Sequence, residues 1–352
     1  MKIHQLLAGL VAVAVLLAGC GDGDTTAVAD RVHPKPAEPE FTLRDIRKPC
    51  QALTRRSPRV SLDGHAGAMN AGFLMAKRRG FFADAGIIAR MLSPGRPNIP
   101  VHYVITDVDD IAVAQQPQVA IAKAMGAPIE AIGSVIPQPT DALIWLRGSG
   151  IRDVADLEGK TVAYPGVPYQ RAFLEDLLEQ AGLTSKQVRI EAVGYRLAST
   201  LLEGKADAIF GGTWNNEGIS LEARGAEPVI RRVQSLGLPA YDQLVMVVDS
   251  RCLKKYPQVY RDFLAALGRG TRAAVEDPAG VAKLIRENHE HDAKAGRQET
   301  EAQIEATLPL LSRRGHMEPG QATGLLAWMH EHGLISRTPQ FSELLTNEYL
   351  AR

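Results

Sequence analysis

Asp207-Ala-Ile-Phe-Gly-Gly-Thr-Trp-Asn-Asn-Glu-Gly218 is the segment on which the predicted fold and the predicted site both depend. A short apolar run leads into two glycines, which is typical of a buried strand that ends where the backbone turns or approaches a ligand. Open α/β sheets bind ligands at such strand ends. Trp214, Asn216 and Glu217 would then face a site suited to a flat, nitrogen-rich heterocycle. The alternative is that Trp214 packs in the core and Glu217 begins the next helix.

Strand and helix signals alternate on both sides of this segment. Before the glycines at 148 and 150, strands are predicted at 59–62, 89–92, 101–105 and 129–136, and helices at 70–80 and 118–125. After them, strands are predicted at 161–164, 188–193, 208–210, 227–231 and 244–248, and helices at 170–180 and 196–202. The rest of the chain reads as helices at 256–272, 279–289, 299–311 and 319–332. This order predicts an α/β protein of two units, each a sheet flanked by helices, with a helical C-terminal segment.

Length and composition are those of a globular protein that folds around a core. The chain has 352 residues, of which 45% are hydrophobic and 23% charged, so about two domains fit its length. Lys+Arg and Asp+Glu each total 40, and this balance offers no basic excess that would attract nucleic acid.

The N-terminus predicts an exported lipoprotein. A positive start at Met1–His4 is followed by an apolar run at Leu6–Leu17, which is too short to span a bilayer. Leu17-Ala-Gly-Cys20 resembles the bacterial lipobox, which implies a signal peptide at 1–20 and lipidation of Cys20; a plain secretory signal is the alternative. Residues 21–58, with His33-Pro-Lys-Pro-Ala-Glu-Pro39, read as a disordered tether. The protein would be anchored to the bacterial cell membrane on its extracytoplasmic side, in the periplasm or at the cell surface.

Two further cysteines, Cys50 and Cys252, are too few for a disulfide framework or a four-cysteine zinc site. In an oxidising exported compartment they can form one disulfide that pins the N-terminal arm to the body. Two free thiols are the alternative. Neither a metal nor a cofactor is predicted.

The order of segments from 59 to about 335 resembles the periplasmic-type substrate-binding proteins of ABC importers. The branch that binds thiamine pyrimidine precursors is the most similar, and fungal pyrimidine synthases share its fold. The resemblance is most specific in Trp214-Asn-Asn-Glu-Gly218 and in Leu238-Pro-Ala-Tyr-Asp-Gln-Leu-Val245. Leu62-Asp63, Asn70–Gly86 and Ile151–Lys160 match features that nitrate and sulfonate binders share.

This resemblance implies a two-lobed periplasmic-binding-protein type II fold. Lobe I would comprise residues 59–147 and 249–352, and lobe II residues 148–248. The chain would cross between the lobes near 147–152 and 245–250, and these crossings would form a hinge. The helical C-terminal segment would belong to lobe I.

The resemblance also implies that the ligand lies between the lobes. Carried over by position, Trp214 would stack on the ligand and Glu217 would accept its hydrogen bonds. The further residues implied at the site are Tyr169, Asp63, Asn70, Asn216 and Tyr241. The chain departs from its relatives in two places, with Gly64 where a tryptophan is expected and Gln115 where a tyrosine is expected.

The implied function is that of a binding protein without enzymatic activity. It would deliver a thiamine pyrimidine precursor, of the hydroxymethylpyrimidine or formylaminopyrimidine type, to an ABC permease and its ATPase, and it would act as a monomer. One alternative is an enzyme like the fungal pyrimidine synthases, which need a cysteine-rich iron segment and a lysine that holds a pyridoxal cofactor; the chain has no such cysteine cluster. Another is a binding protein for a sulfonate, nitrate or a different heterocycle.

Overall fold

The computed structural model of the protein describes residues 50–288 and 296–351. The predicted signal peptide, the lipidation site Cys20 and the predicted tether as far as residue 49 lie outside the described residues. The strands are β1 (Arg59–Ser61), β2 (Arg90–Leu92), β3 (Ile111–Ala114), β4 (Ile129–Ile136), β5 (Asp141–Leu146), β6 (Thr161–Tyr164), β7 (Arg189–Ala192), β8 (Ala208–Thr213), β9 (Pro228–Arg232) and β10 (Leu244–Asp249).

The helices flank these strands. They are α1 (Gln51–Thr54), α2 (Ala71–Arg78), α3 (Phe81–Asp84), α4 (Ile99–Ile105), α5 (Gln116–Ala124), α6 (Pro168–Gln180), α7 (Leu197–Leu202), α8 (Ile219–Ala223), α9 (Ser250–Lys255), α10 (Pro257–Glu276), α11 (Pro278–Asn288), α12 (Arg297–Thr307), α13 (Pro319–Glu331) and α14 (Phe341–Leu344). Short 3₁₀ turns cover Ala68–Asn70, Val154–Leu157, Val233–Leu236 and Leu308–Leu310, and a π-helical turn covers Trp214–Gly218.

The strands form two separate sheets, in the orders β2-β1-β3-β10-β4 and β7-β6-β8-β5-β9. Each sheet combines a parallel part, β2-β1-β3 or β7-β6-β8, with antiparallel strands. Strands β3 and β10 are buried at every position, as expected where helices cover both faces. The predicted α/β architecture of two sheets flanked by helices is confirmed. We call the parts built on these sheets the first and the second lobe.

The lobe boundaries differ from those that the sequence predicted. Strand β5 belongs to the second sheet, where it pairs with β8 and β9, and β10 belongs to the first sheet, where it pairs with β3 and β4. The chain therefore crosses between the sheets at 137–140 and at 237–243 instead of near 147–152 and 245–250. Gly148 and Gly150, both with positive φ, turn the chain after β5 within the second lobe.

The segment 101–105, predicted as a strand, is part of helix α4. Pro100 lies in the first turn of this helix, where its fixed φ suits a helix and its missing N–H costs no hydrogen bond. Val101 and Val104 are buried and lie three residues apart, which is the spacing of one helical face. The β-branched residues of this segment favoured a strand in the prediction, because a helix of only two turns is too short to show a helical period.

The end of the predicted tether belongs to the fold. Helix α1 buries Leu53, and a disulfide joins Cys50 to Cys252 in α9, with the two Cα atoms 5.4 Å apart. Both cysteines pack in the core of the first lobe. The disulfide therefore ties the start of the described chain to a helix that follows β10. Within residues 50–288 and 296–351, no helix combines the length and apolar character needed to cross a membrane.

Candidate functional site

A cleft of about 540 Å³ lies between the two lobes. The first lobe lines it with the loop after β1, with Gln115 before α5 and with α12. The second lobe lines it with the start of β5, the loop before α7 and the π-helical turn after β8. Strand ends from both sheets thus meet at the cleft, as expected for ligand sites in α/β proteins.

Asp141 is a buried carboxylate at the floor of the cleft, directly after the first crossing. Its Oδ2 accepts hydrogen bonds from the hydroxyls of Tyr169 and Tyr241, each at 2.9 Å, and from Nε2 of Gln170 at 3.0 Å. Its Oδ1 accepts one from Nε2 of Gln243 at 2.9 Å. Burial raises the pKa of Asp141, and the four donated hydrogen bonds oppose that rise. The carboxylate therefore ties α6 to the second crossing.

The two crossings are also bonded to each other and to the first lobe. The amide N–H of Thr140 donates to Oε1 of Gln243 at 2.7 Å. In the second crossing, Asp242 accepts a hydrogen bond from Ser134 of β4 at 2.6 Å, and its amide N–H donates to Oε1 of Gln116 at 3.0 Å. These bonds hold the two crossings together against the first lobe.

Asp63 lines the cleft from the first lobe and has fewer hydrogen bonds. Within residues 50–288 and 296–351, its side-chain donor is Gln115, whose Nε2 lies 3.3 Å from both carboxylate oxygens. Burial, and after it the negative charges of Asp141 and Glu217, raise the pKa of Asp63 to about 7. Asp63 can therefore bind a donor or a positive charge without losing strong bonds of its own.

Glu217 lines the cleft from the second lobe, on the π-helical turn. Its Oε2 accepts hydrogen bonds from the amide N–H of Thr213 at 2.6 Å and from the Thr213 hydroxyl at 3.0 Å, while its Oε1 accepts one from Nδ2 of Asn216 at 2.9 Å. Burial raises the pKa of Glu217, and the bonds from Thr213 oppose the rise. The turn thus holds this carboxylate in a fixed orientation in the wall.

Helix α12 joins the two lobes along one side of the cleft. It packs against α11 and against the turn Ala68–Asn70 of the first lobe. From there it reaches the second lobe, where Thr307 accepts a hydrogen bond from Asn215 at 2.9 Å and Gln303 donates one to Asn216 at 2.9 Å. The hydroxyl of Ser220 donates to Glu299, which is 4% exposed. These contacts hold the lobes together beside the cleft.

An aromatic ring from the second lobe covers the position where the sequence lacks one. A Cβ placed on Gly64 would lie 3.6 Å from the ring of Tyr195, and Gly64 has a φ of +83° that disfavours a side chain. The Tyr195 ring also lies 5.6 Å from the ring of His65, measured between centroids. Tyr195 therefore occupies the space in front of Gly64.

The predicted site residues fall into two groups. Asp63, Asn70, Asn216 and Glu217 all line the cleft. Trp214, Tyr169 and Tyr241 are not among the described residues that line the cleft, so their contacts with a ligand remain predictions. The indole of Trp214 packs beside β9, with the Arg232 guanidinium 3.9 Å from its ring centroid. Tyr169 and Tyr241 have no exposed surface and bond to Asp141 behind the cleft.

Several residues of the site were not foreseen from the sequence. They are Asp141, Gln170, Tyr195, Gln243, Glu299 and Thr307. Asp141 carried a signal, since a carboxylate at the start of the apolar run Ala142–Leu146 marks a strand end. Glu299 and Thr307 carried none, because nothing in the sequence of an amphipathic C-terminal helix shows that it returns to the cleft.

Residues 68–281 match the family model described as NMT1/THI5 like, which is more than half of the chain. The chain belongs to the NMT1/THI5-like family. Relatives of the chain differ in their named functions. A formylaminopyrimidine-binding protein from Halalkalibacterium halodurans is 28% identical over 231 residues, which cover 66% of this chain and 70% of the relative. A 4-amino-5-hydroxymethyl-2-methylpyrimidine phosphate synthase from Uromyces fabae is 28% identical over 232 residues, covering 63% of this chain and 67% of the relative.

Solved structures agree on the fold of this NMT1/THI5-like chain. The periplasmic aliphatic sulphonate binding protein SsuA from Escherichia coli matches with a TM-score of 0.65 and 14% identity, covering 82% of this chain and 91% of SsuA. The predicted periplasmic-binding-protein fold is thereby confirmed. Helix α12, which completes one side of the cleft, follows the residues that the family model matches.

Proposed function

We propose that this chain is the extracytoplasmic substrate-binding component of an ABC importer, and that it binds an aminopyrimidine of the thiamine-precursor class. The observation that carries the proposal is the cleft between two lobes, which offers carboxylates and amides from both sides. Formylaminopyrimidine binding by a relative supports the same ligand class. Cys20 would anchor the chain to the membrane, and the permease and ATPase would receive the ligand from the monomeric protein.

The cleft gives each part of an aminopyrimidine a partner. Asp63 and Glu217 approach from opposite lobes and accept hydrogen bonds from the exocyclic amino group and from ring substituents. Tyr195 supplies an aromatic face beside Asp63. Since one carboxylate comes from each lobe, a bound ligand would favour the arrangement in which the lobes are close, and the crossings at 137–140 and 237–243 would be the hinge.

Replacing Glu217 with alanine is expected to weaken binding by about tenfold to a hundredfold, because a hydrogen bond to a charged group contributes about 1.5–3 kcal/mol. Titration calorimetry with hydroxymethylpyrimidine and with formylaminopyrimidine measures the change. Glu179→Ala, at an exposed position of α6, is the matched control and should bind as the wild type does. If Glu217→Ala bound the ligands with wild-type affinity, Glu217 would not be a ligand-binding residue.

Replacing Trp214 with alanine is expected to weaken binding less than Glu217→Ala does. The indole packs against Arg232 and the apolar side chains beside β9, so its loss reaches the ligand only through the turn that carries Glu217. The same calorimetric titration compares the two variants. A larger loss in Trp214→Ala would restore the stacking role that the sequence predicted.

The synthase names of some relatives make an enzyme the second candidate. Among the described residues that line the cleft, none is a lysine or a cysteine. A covalent pyridoxal link to the wall would need such a lysine, so the described cleft favours binding over this chemistry. Formation of a pyrimidine product by the purified protein would favour the enzyme.

Anion binding is the other candidate, given the sulphonate-binding structural neighbour. The carboxylates Asp63, Glu217 and Glu299 in the walls would repel a sulfonate or nitrate. A thermal-shift comparison of hydroxymethylpyrimidine, formylaminopyrimidine, thiamine, taurine and nitrate tests this directly. Stabilisation by taurine or nitrate alone would contradict the proposed function.

A further inference from the structure

Four buried amide side chains that line the cleft have an oxygen with no hydrogen-bond donor among the residues that the structure describes. They belong to Asn70, Gln115, Gln170 and Asn215. Their exposures are 1%, 7%, 2% and 1%, so solvent does not easily supply the missing donors. An unsatisfied buried acceptor costs about 1–3 kcal/mol. Such a concentration of acceptors around one cleft indicates a ligand that brings donors.

The orientation of these amides follows from the partners of their nitrogens. Gln115 donates to the carboxylate of Asp63, and Gln170 donates to Asp141 and to the carbonyl of Gly211. Asn70 donates to the carbonyl of His65. Rotating any of these amides by 180° would place its oxygen against another acceptor, so the oxygens remain the unpaired atoms. In Asn215, the nitrogen donates to the Thr307 hydroxyl.

The buried charges of the cleft are negative, so they favour the same kind of ligand as the acceptor oxygens do. Asp63, Asp141, Glu217 and Glu299 line it, and the hydrogen bonds to Asp141 and Glu217 come from neutral groups. Arg196 and Arg224 also line the cleft, but both are exposed, where water and salt screen their charge. The buried part of the cleft therefore combines negative charge with acceptors.

We propose that the ligand is a cationic, N–H-rich nitrogen heterocycle whose positive charge lies between Asp63 of the first lobe and Glu217 of the second. The inference rests on the proposed function and narrows its ligand class. A cation with several N–H groups would satisfy the amide oxygens and offset the carboxylates in one step. A neutral ring could satisfy the oxygens but would leave the charge uncompensated.

The protonation of Asp63 near neutral pH supports the binding of a cation beside it. Among the described residues, Asp63 interacts with Gln115, Asp141, Glu217 and Tyr195. The ring of His65 lies beside the ring of Tyr195. Because the pKa of Asp63 is raised to about 7, the carboxyl is half protonated near neutral pH. A cation would displace this proton, and binding of a cation would therefore strengthen as the pH rises through 7.

The test uses two probes of nearly the same size that differ in charge. They are 4-amino-5-hydroxymethyl-2-methylpyrimidine and its 5-aminomethyl analogue, which carries a primary ammonium at neutral pH. In calorimetry with the full-length protein at pH 8, the aminomethyl probe should bind about tenfold tighter than the hydroxymethyl probe, since charge-assisted hydrogen bonds are about twice as strong as neutral ones. Between pH 8 and pH 6 the affinity for the aminomethyl probe should fall, because Asp63 becomes protonated. Below the pKa of Asp63 the fall should reach up to about tenfold per pH unit, and the affinity for the hydroxymethyl probe should change less.

Asp63→Asn and Glu217→Gln keep the size of each side chain and remove its charge. Both should reduce the preference for the aminomethyl probe, whereas Glu179→Gln on the exposed face of α6 should retain it. Thermal unfolding of each variant checks that it is folded. Equal or tighter binding of the hydroxymethyl probe by the wild type would overturn this inference and leave the proposed function standing. Failure of both pyrimidines to bind would overturn the proposed function itself.

Discussion

Replacing Asp141 with alanine is expected to lower the free energy of unfolding by about 3–5 kcal/mol, because it leaves several buried donors without an acceptor. The donors are the hydroxyls of Tyr169 and Tyr241 and the amides of Gln170 and Gln243. These four side chains and Asp141 itself are at most 2% exposed, so water cannot replace the carboxylate without opening the structure. The loss should also loosen the crossings, which meet at this group.

Urea unfolding followed by circular dichroism measures this effect. Tyr241→Phe is the matched comparison, because it removes one of the donors and keeps the carboxylate, and it should cost about 1.5–3 kcal/mol at most. A free energy of unfolding for Asp141→Ala within about 1 kcal/mol of the wild-type value would contradict this prediction. It would mean that water or a rearranged partner satisfies the donors and that the carboxylate does not organise the crossings.

Removal of the disulfide between Cys50 and Cys252 is expected to cost about 2–5 kcal/mol of stability. The two residues are 202 positions apart, so the bond restricts a long loop of the unfolded chain. Cys50→Ser, Cys252→Ser and the double variant should lose the same amount, since each removes the same bond.

Chemical denaturation with and without a reductant measures this loss. Reductant should destabilise the wild type to the level of the double variant and leave the double variant unchanged. Mass spectrometry before and after reduction confirms the bond itself. A wild-type protein that is insensitive to reductant, and whose mass shows two free thiols, would refute it.

Much of the fold could be predicted from local sequence because its strands and helices have clear periods. Strand β4 and strand β6 were predicted with the bounds that the structure shows, since apolar runs between turn residues are typical of buried strands. Helix α4 was misread as a strand because a two-turn helix offers too few residues to show its period. Membership of β5 and β10 in the sheets could not be predicted, because pairing between distant strands leaves no local signal.

For some predicted residues a position in the cleft wall followed from a place after a strand, whereas for others burial decides where the side chain lies. Asp63 and Glu217 follow β1 and β8, and both line the cleft. Tyr169 and Tyr241 are polar aromatics that a sequence can place near a ligand, yet their hydroxyls point to a buried carboxylate instead. Tyr195 was not foreseen because its role depends on the approach of the opposite lobe to Gly64.

The position of β10 in the first sheet has a consequence for the order of folding. This strand lies between β3 and β4, where Val245 pairs with Ala114 and Leu244 with Ile136, so the sheet is closed by a strand made after the whole second lobe. Loop closure over such distances is slow, and contacts of this kind delay folding into the millisecond-to-second range. The sheet of the first lobe is therefore incomplete until the chain is available as far as Asp249, and the disulfide to Cys252 can form only after that.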